Sequence, residues 1–182
     1  MSHMGKKMAL PFNDRPEFEV REGEVRLEVD PANLTPDAGL VFIGRVSSPW
    51  TERSQCPKNM REAREKGGGA RIALDPAYRD GLRGLGQCSH AILLSWFNRS
   101  PRDLIVQKPR HAEVARGTFA LRSPVRPNPV GVHVVRLLAV DEQAGTIELE
   151  AIDLLDGTPV IDIKPYFASV DSVPDATRPV SA

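Results

Sequence analysis

The segment that most constrains this chain is the proline-rich stretch Arg122-Ser-Pro-Val-Arg-Pro-Asn-Pro-Val-Gly131. Pro124, Pro127 and Pro129 fix φ and remove three backbone donors within a few residues. The residue ahead of each proline is also pushed out of the helical region. The chain must therefore cross here as a stiff, extended loop that holds Arg122, Arg126 and Asn128 in set directions. Direction matters because a planar guanidinium engages a carboxylate or phosphate only in the right orientation. A second block, Asp153-Leu-Leu-Asp-Gly-Thr-Pro-Val-Ile-Asp-Ile-Lys-Pro-Tyr166, places Asp153, Asp156, Asp162, Lys164 and Tyr166 around a Gly157-Thr158-Pro159 turn. That concentration of charge and rigidity exceeds what a core strand requires.

Around these blocks the pattern is one of short strands. Residues 18–29 alternate about Glu22-Gly23 and predict a β-hairpin, followed by a proline-containing linker over 30–39. Further strands are predicted at 40–46, 71–74, 91–97 (central), 104–106, 117–121, 132–140, 146–153 and 160–166, with a hairpin turn at 142–145. Residues 55–65 read as a mobile loop or a surface helix, ended by Gly67-Gly68-Gly69. Asp75-Pro76 is a helix start, with Tyr78, Leu82 and Leu85 at amphipathic spacing after it. On the last strand Asp162 and Lys164 fall on one face, near enough to pair. The fold class that follows is mainly β: a single β-barrel-like domain of short strands with one or two short helices. No GxGxxG follows a strand, so a Rossmann fold is unsupported. The expected organisation is a flexible tail or vector-derived lead at 1–16, the hairpin and linker at 17–39, the barrel domain at 40–175 and a tail at 176–182.

Charge is distributed unevenly within a net charge of zero. Arg99 to Arg136 holds eight Lys/Arg and two acids, whereas Leu137 to Asp175 holds nine acids and one lysine. Either a basic face for an anionic substrate adjoins an acidic pocket, or the two stretches pair across neighbouring strands. The neutral total excludes a strongly basic nucleic-acid domain. Cys56 and Cys88 form no CxxC, the four histidines lack acid partners at metal spacing, and no metal site is expected. No long apolar run marks a membrane span, and a cytoplasmic location with reduced thiols is expected.

No P-loop, GxSxG or HExxH is present. Asp153, Asp156 and Asp162 read as general bases or cation ligands, although Asp156 suits an Asp-Gly turn for its backbone bonding alone. Asp162 and Lys164 equally read as a plain strand ion pair. His90 reads as a core or strand-edge histidine, while Arg110, His111 and His133 are candidate substrate contacts. Trp50 and Trp96 read as base-stacking or core residues. The residues alone describe a β-rich domain with a rigid Arg/Asn loop beside a carboxylate cluster, suited to an anion or nucleotide.

The two blocks resemble the hallmark stretches of the TrmO (TsaA-like or YaeB-like) family of tRNA methyltransferases, Arg-Ser-Pro-x-Arg-Pro-Asn-Pro-Ile-Gly and Asp-Leu-Leu-Asp-Gly-Thr-Pro-Val-Leu-Asp-Ile-Lys-Pro-Tyr. Similarity extends to Ile43-Gly-Arg-Val46 with Ser48-Pro49, to 78–85, to Ser89-His90 and to Gly117-Thr-Phe-Ala-Leu121. The resemblance implies a homodimeric β-barrel methyltransferase that uses S-adenosylmethionine to methylate N6 of threonylcarbamoyladenosine beside the tRNA anticodon. It assigns Arg122, Pro127, Asn128, Asp153, Leu155, Asp156, Gly157 and Thr158 to the cofactor and Arg126 to a substrate carboxylate, beside the candidate contacts Arg110, His111 and His133 of the basic stretch. Asp162, Lys164 and Tyr166 become the groups that orient the acceptor. The chain departs from the family pattern at Cys56-Pro57-Lys58-Asn59, where Pro-Arg-Gln is usual. It departs again at Asn98, Leu121 and His133, where histidine, threonine and serine are usual. Another acceptor, or an adenosyl-binding module without turnover, are the alternatives these departures raise.

Overall fold

The computed structural model describes residues 19–109 and 112–177. Six strands close into an antiparallel barrel in the order β2-β3-β8-β7-β4-β9. They are β2 (Gly44–Ser47), β3 (Ala70–Leu74), β4 (His90–Trp96), β7 (Val130–Asp141), β8 (Thr146–Leu149) and β9 (Pro159–Pro165). A small sheet, β1 (Val25–Arg26), β5 (Leu104–Gln107) and β6 (Arg116–Gly117), stands beside the barrel. The helices are short: α1 (Met60–Lys66) and α2 (Ala168–Asp171). The mainly β, barrel-like architecture expected from the sequence is the one that forms.

Alternation builds the core. Ala70, Ile72 and Leu74 of β3, Ala91 and Leu93 of β4, Val135 of β7, and Ile147 and Leu149 of β8 point inward and are buried. Ile152, just ahead of the second block, and Leu154 and Val160 within it close the interior. Each such Leu or Ile contributes about 1.5–3 kcal/mol by leaving water. Strand β7 is long because it serves two partners: β4 along its first half and β8 along its second, with a register shift between Leu137 and Ala139. Such irregularities bend a strand around a barrel.

Three local expectations are corrected. The hairpin over 18–29 is replaced by a turn at Glu22-Gly23 and a strand, β1, that pairs with β5. The helix after Asp75-Pro76 is a 3-10 turn, Pro76–Leu82, in which Leu82 is the buried residue. The strand expected over 117–121 stops at Gly117, because Thr118 turns its hydroxyl inward to Leu104 O at 2.9 Å and begins a 3-10 turn. The loop-or-helix alternative at 55–65 resolves as α1, capped by the Asn59 side chain on Glu62 N at 3.0 Å. Asn59 and Lys58, which depart from the family pattern, thus start a helix.

Candidate active site

The first block is a loop held from beneath by side chains. Gln107 Nε2 donates to Val125 O at 2.5 Å and to Thr118 Oγ1 at 2.7 Å, both bonds buried. Arg102 donates to Pro127 O at 2.5 Å and to Asn128 Oδ1 at 3.2 Å, with its guanidinium over the Trp96 ring. Arg122 Nη2 donates to Val132 O at 2.9 Å, and Arg126 reaches Thr118 O and Ser123 O at 3.4 and 3.5 Å. Prolines fix the loop's own φ values, while Arg102 and Gln107 fix its position on the barrel.

The second block is held by bonds between side chains and main chain. Ser48 Oγ donates to Leu154 O at 2.7 Å and Trp50 Nε1 to Ile152 O at 2.8 Å. Asp156 Oδ1 accepts from Ser48 N at 3.1 Å. Asp156 is exposed and acts as the turn residue that one sequence reading made it. Gly157 has φ +75, a conformation that a side chain disfavours. Its carbonyl accepts from Arg45 Nη1 at 2.8 Å, and Thr158 Oγ1 closes the turn on Leu155 O at 2.6 Å. Leu155 is half-buried and Thr158 buried.

The two blocks meet through a buried polar chain. His133, on β7 just past the first block, faces inward in register with Leu93 of β4, itself in register with Ile163 of β9. Its Nδ1 lies 2.7 Å from Asp153 Oδ1, the first residue of the second block, and its Nε2 lies 3.1 Å from Ser95 Oγ. A carboxylate can only accept, so Nδ1 carries the hydrogen of the first bond. The Phe97 ring meets the imidazole edge-on at 6.0 Å. Gly131 makes room: a Cβ there would lie 2.3 Å from Ser95 Oγ and 2.6 Å from His133 Nε2. Cys56 is a further neighbour. Burial, then the Asp153 charge, pushes its thiol up to about 11. At neutral pH that thiol stays protonated.

Asp162 and Lys164 lie on the other side of the wall. In β9 they are in register with Leu94 and Ile92, and those in turn with Val132 and Val134 on the outer face of β7. They form an ion pair at 2.7 Å, with Asp162 Oδ1 also accepting from Ile163 N at 2.9 Å. Tyr166 follows the strand and packs edge-on to His90 at 6.4 Å. Among the described residues no hydrogen bond or ion pair joins this group to Asp153 or His133. Arg110 and His111 lie outside the described residues.

The strand-pairing reading of the charge pattern holds in part. Arg136 pairs with Glu150 at 3.5 Å, joining the basic to the acidic stretch, whereas Arg122 and Arg126 contact main-chain carbonyls. Sequence reasoning missed Ser95, Arg102 and Gln107, and it did not anticipate the His133–Asp153 bond. Among the described residues, no cluster of three or more His, Cys, Asp or Glu is placed to hold a metal ion, and no helix is long and apolar enough to cross a membrane. A hollow lined by Arg21, Glu22, Lys108, Pro109 and Ala112 sits by the small sheet and includes no residue of either block.

Comparison with known proteins places this arrangement. Residues 45–172 match the family model described as the tRNA-methyltransferase O N-terminal domain. A probable S-adenosyl-L-methionine-binding protein of Archaeoglobus fulgidus is 40% identical over 134 residues, 74% of this chain and 35% of that protein. The tRNA (adenine(37)-N6)-methyltransferase of Escherichia coli is 36% identical over 141 residues, 74% of this chain and 60% of that enzyme. The crystal structure of TrmO from Pseudomonas aeruginosa superposes with a TM-score of 0.65 at 34% identity, covering 81% of this chain and 64% of that one. The chain thus spans about a third of the archaeal protein and under two thirds of the two bacterial ones. With more than two thirds of its length matched by the family model, the chain belongs to the TrmO family, through that family's N-terminal domain.

Proposed function

We propose that this chain is an S-adenosylmethionine-dependent methyltransferase that acts on tRNA, at N6 of threonylcarbamoyladenosine beside the anticodon. The observation that carries the reading is the His133–Asp153 bond, which holds the strand just past the first hallmark block against the first residue of the second. The donor set suits the cofactor. Its methionyl end carries a carboxylate, an ammonium and a sulfonium. Arg122 and Arg126 bond carbonyls and, among the described residues, no carboxylate, so their forks can receive one. Asp153 uses one oxygen on His133; its other has no hydrogen-bond partner among the described residues and can face a cation.

When bound, the cofactor supplies a methyl group activated by its sulfonium. The chain's part is to align and to exclude. Alignment is worth most here, since the acceptor nitrogen is a poor nucleophile with a delocalised lone pair. The acceptor would exchange one N–H for one N–C bond as the methyl's bond to sulfur breaks and leaves a neutral thioether, and the released proton would pass to a carboxylate or to water. Asp162, Lys164 and Tyr166 are the orienting groups in this reading; lying on the outer face, away from Asp153, they would serve an acceptor at the partner subunit's cofactor in a homodimer. They sit on the outer face beside exposed Val132 and Val134, an apolar strip that supports a homodimer. Basic residues of the 99–136 stretch would meet phosphates of the anticodon arm. The cytoplasm is the location that fits such a substrate, and residues 40–175 are the unit that does the work.

Methyl transfer from labelled S-adenosylmethionine to two tRNA pools tests this, one threonylcarbamoylated and one lacking that group. Label confined to the modified pool is expected. Label in both pools would remove the threonylcarbamoyl group from recognition. Label in neither, with cofactor binding intact, would point to another acceptor and give weight to the altered Cys56–Asn59 loop.

A further inference from the structure

We infer that His133 is a positioning residue for the cofactor. It holds the Asp153 carboxylate so that one oxygen stays committed to the imidazole and the other faces the positive charge of the bound methionyl end. The inference rests on the reading above, since it supposes that this pocket takes S-adenosylmethionine. It departs from the expectation that His133 touches substrate.

The geometry carries it. The imidazole side chain is 6% exposed and the Asp153 side chain 15%, so Asp153 is the member that reaches the surface. Both ring nitrogens are engaged, Nδ1 with Asp153 and Nε2 with Ser95, which leaves His133 no group to offer a ligand. Ser95 is fully buried in β4 and Phe97 packs on the ring edge, so the imidazole cannot swing away. The carboxylate is thereby fixed through a single oxygen, in a half-buried setting where its charge is poorly screened. The nearby Cys56 thiol is held protonated by burial and by Asp153 itself, and adds no second negative charge.

Two substitutions separate positioning from mere packing. The amide nitrogen of asparagine falls near imidazole Nδ1 and can still donate to Asp153; that of glutamine falls near Nε2 and can bond only Ser95. Calorimetric affinities for S-adenosylmethionine and for S-adenosylhomocysteine, which lacks the sulfonium charge, are measured with thermal midpoints. His133→Asn is expected to bind S-adenosylmethionine within about threefold of the parent, and His133→Gln and Asp153→Asn to lose about tenfold or more. A larger loss for S-adenosylmethionine than for S-adenosylhomocysteine locates the sulfonium at Asp153; equal losses locate the ammonium. Equal affinity of the Asn and Gln variants overturns the inference and leaves His133 a packing residue. Should either variant fail to fold, the nitrogen-bound ring protons of His133 in the parent are followed by NMR. A shift of the Nδ1 proton on cofactor addition supports the inference, and an unmoved signal at saturation overturns it. A parent that binds no cofactor sinks the proposed function and this inference together. A parent that binds but methylates no tRNA sinks only the function.

Discussion

On the inner face of the wall built from β7, β4 and β9, Ser95, His133 and Asp153 form a buried hydrogen-bonded chain; on its outer face Asp162 and Lys164 form a pair whose side chains are 41% and 61% exposed. One step along each strand separates the two sets. Leu93, His133 and Ile163 form one row and Leu94, Val132 and Asp162 the next. Inside, each polar group must find a partner because water cannot serve, so the chain fixes geometry and tolerates little change. Outside, water competes for both charges, and the pair is free to exchange partners. The comparison assigns rigidity to the residues nearest the proposed cofactor pocket and adaptability to those proposed for the acceptor.

The inner chain is most sensitive at Gly131. A Cβ there would lie 2.3 Å from Ser95 Oγ, 2.6 Å from His133 Nε2 and 2.8 Å from the Phe97 ring. Gly131→Ala is expected to lose about 3 kcal/mol, read as a thermal midpoint lower by about 6–12 °C for a domain of this size. A shift below 2 °C would mean that the inner chain yields as easily as the outer pair.

Next comes the other buried polar network. Gln107→Leu keeps the volume but leaves Val125 O without its buried donor, and is expected to cost about 2 kcal/mol in urea unfolding. It also loosens the turn bearing Phe119, which is 79% exposed.

A smaller effect is expected at Glu24, whose carboxylate accepts from Arg21 N, from the Arg21 guanidinium and from Lys108 N. Burial pushes its pKa up, but these hydrogen bonds and the Arg21 charge outweigh that and hold it below its ordinary value of 4.5. A lowered folded value means that the stabilisation is complete above the ordinary one and is lost as pH falls through the lowered one. Glu24→Gln should therefore cost about 1–2 kcal/mol at neutral pH. The gap to the parent should close in unfolding curves taken well below pH 4.5. A gap independent of pH would remove the carboxylate charge from the account.

Local features were legible in the sequence, and long-range pairings were not. The proline loop and the Gly157 turn were readable because φ restrictions act within a residue or two. Strand β4 was readable from a run that is apolar but for Ser95. Strand β1 was misread because its partner, β5, lies almost eighty residues on, and nothing local distinguishes that pairing from a hairpin. At 117–121 the deciding contact was one hydroxyl, Thr118 on Leu104. His133 sits among valines on both faces of β7, so a period of two could not say whether it points in or out. Arg102 read as one of eight basic residues; its role follows from a loop that comes near it only in the folded chain.

The smallest expected effect is at the outer ion pair. In a double-mutant cycle of Asp162→Ala and Lys164→Ala, the coupling between the two charges should be about 0.5 kcal/mol or less, because both side chains are more than a third exposed and salt screens them. If these residues orient the acceptor, Asp162→Ala should nevertheless abolish methyl transfer while its unfolding curve stays near the parent's. Arg126→Ala should do the same, its two carbonyl contacts being long at 3.4 and 3.5 Å. Stability and acceptor orientation would then be separable within one molecule. Full activity in the Asp162 variant would make the pair a plain strand ion pair and move the search for the acceptor to the inner face, beside the cofactor that Asp153 is proposed to hold.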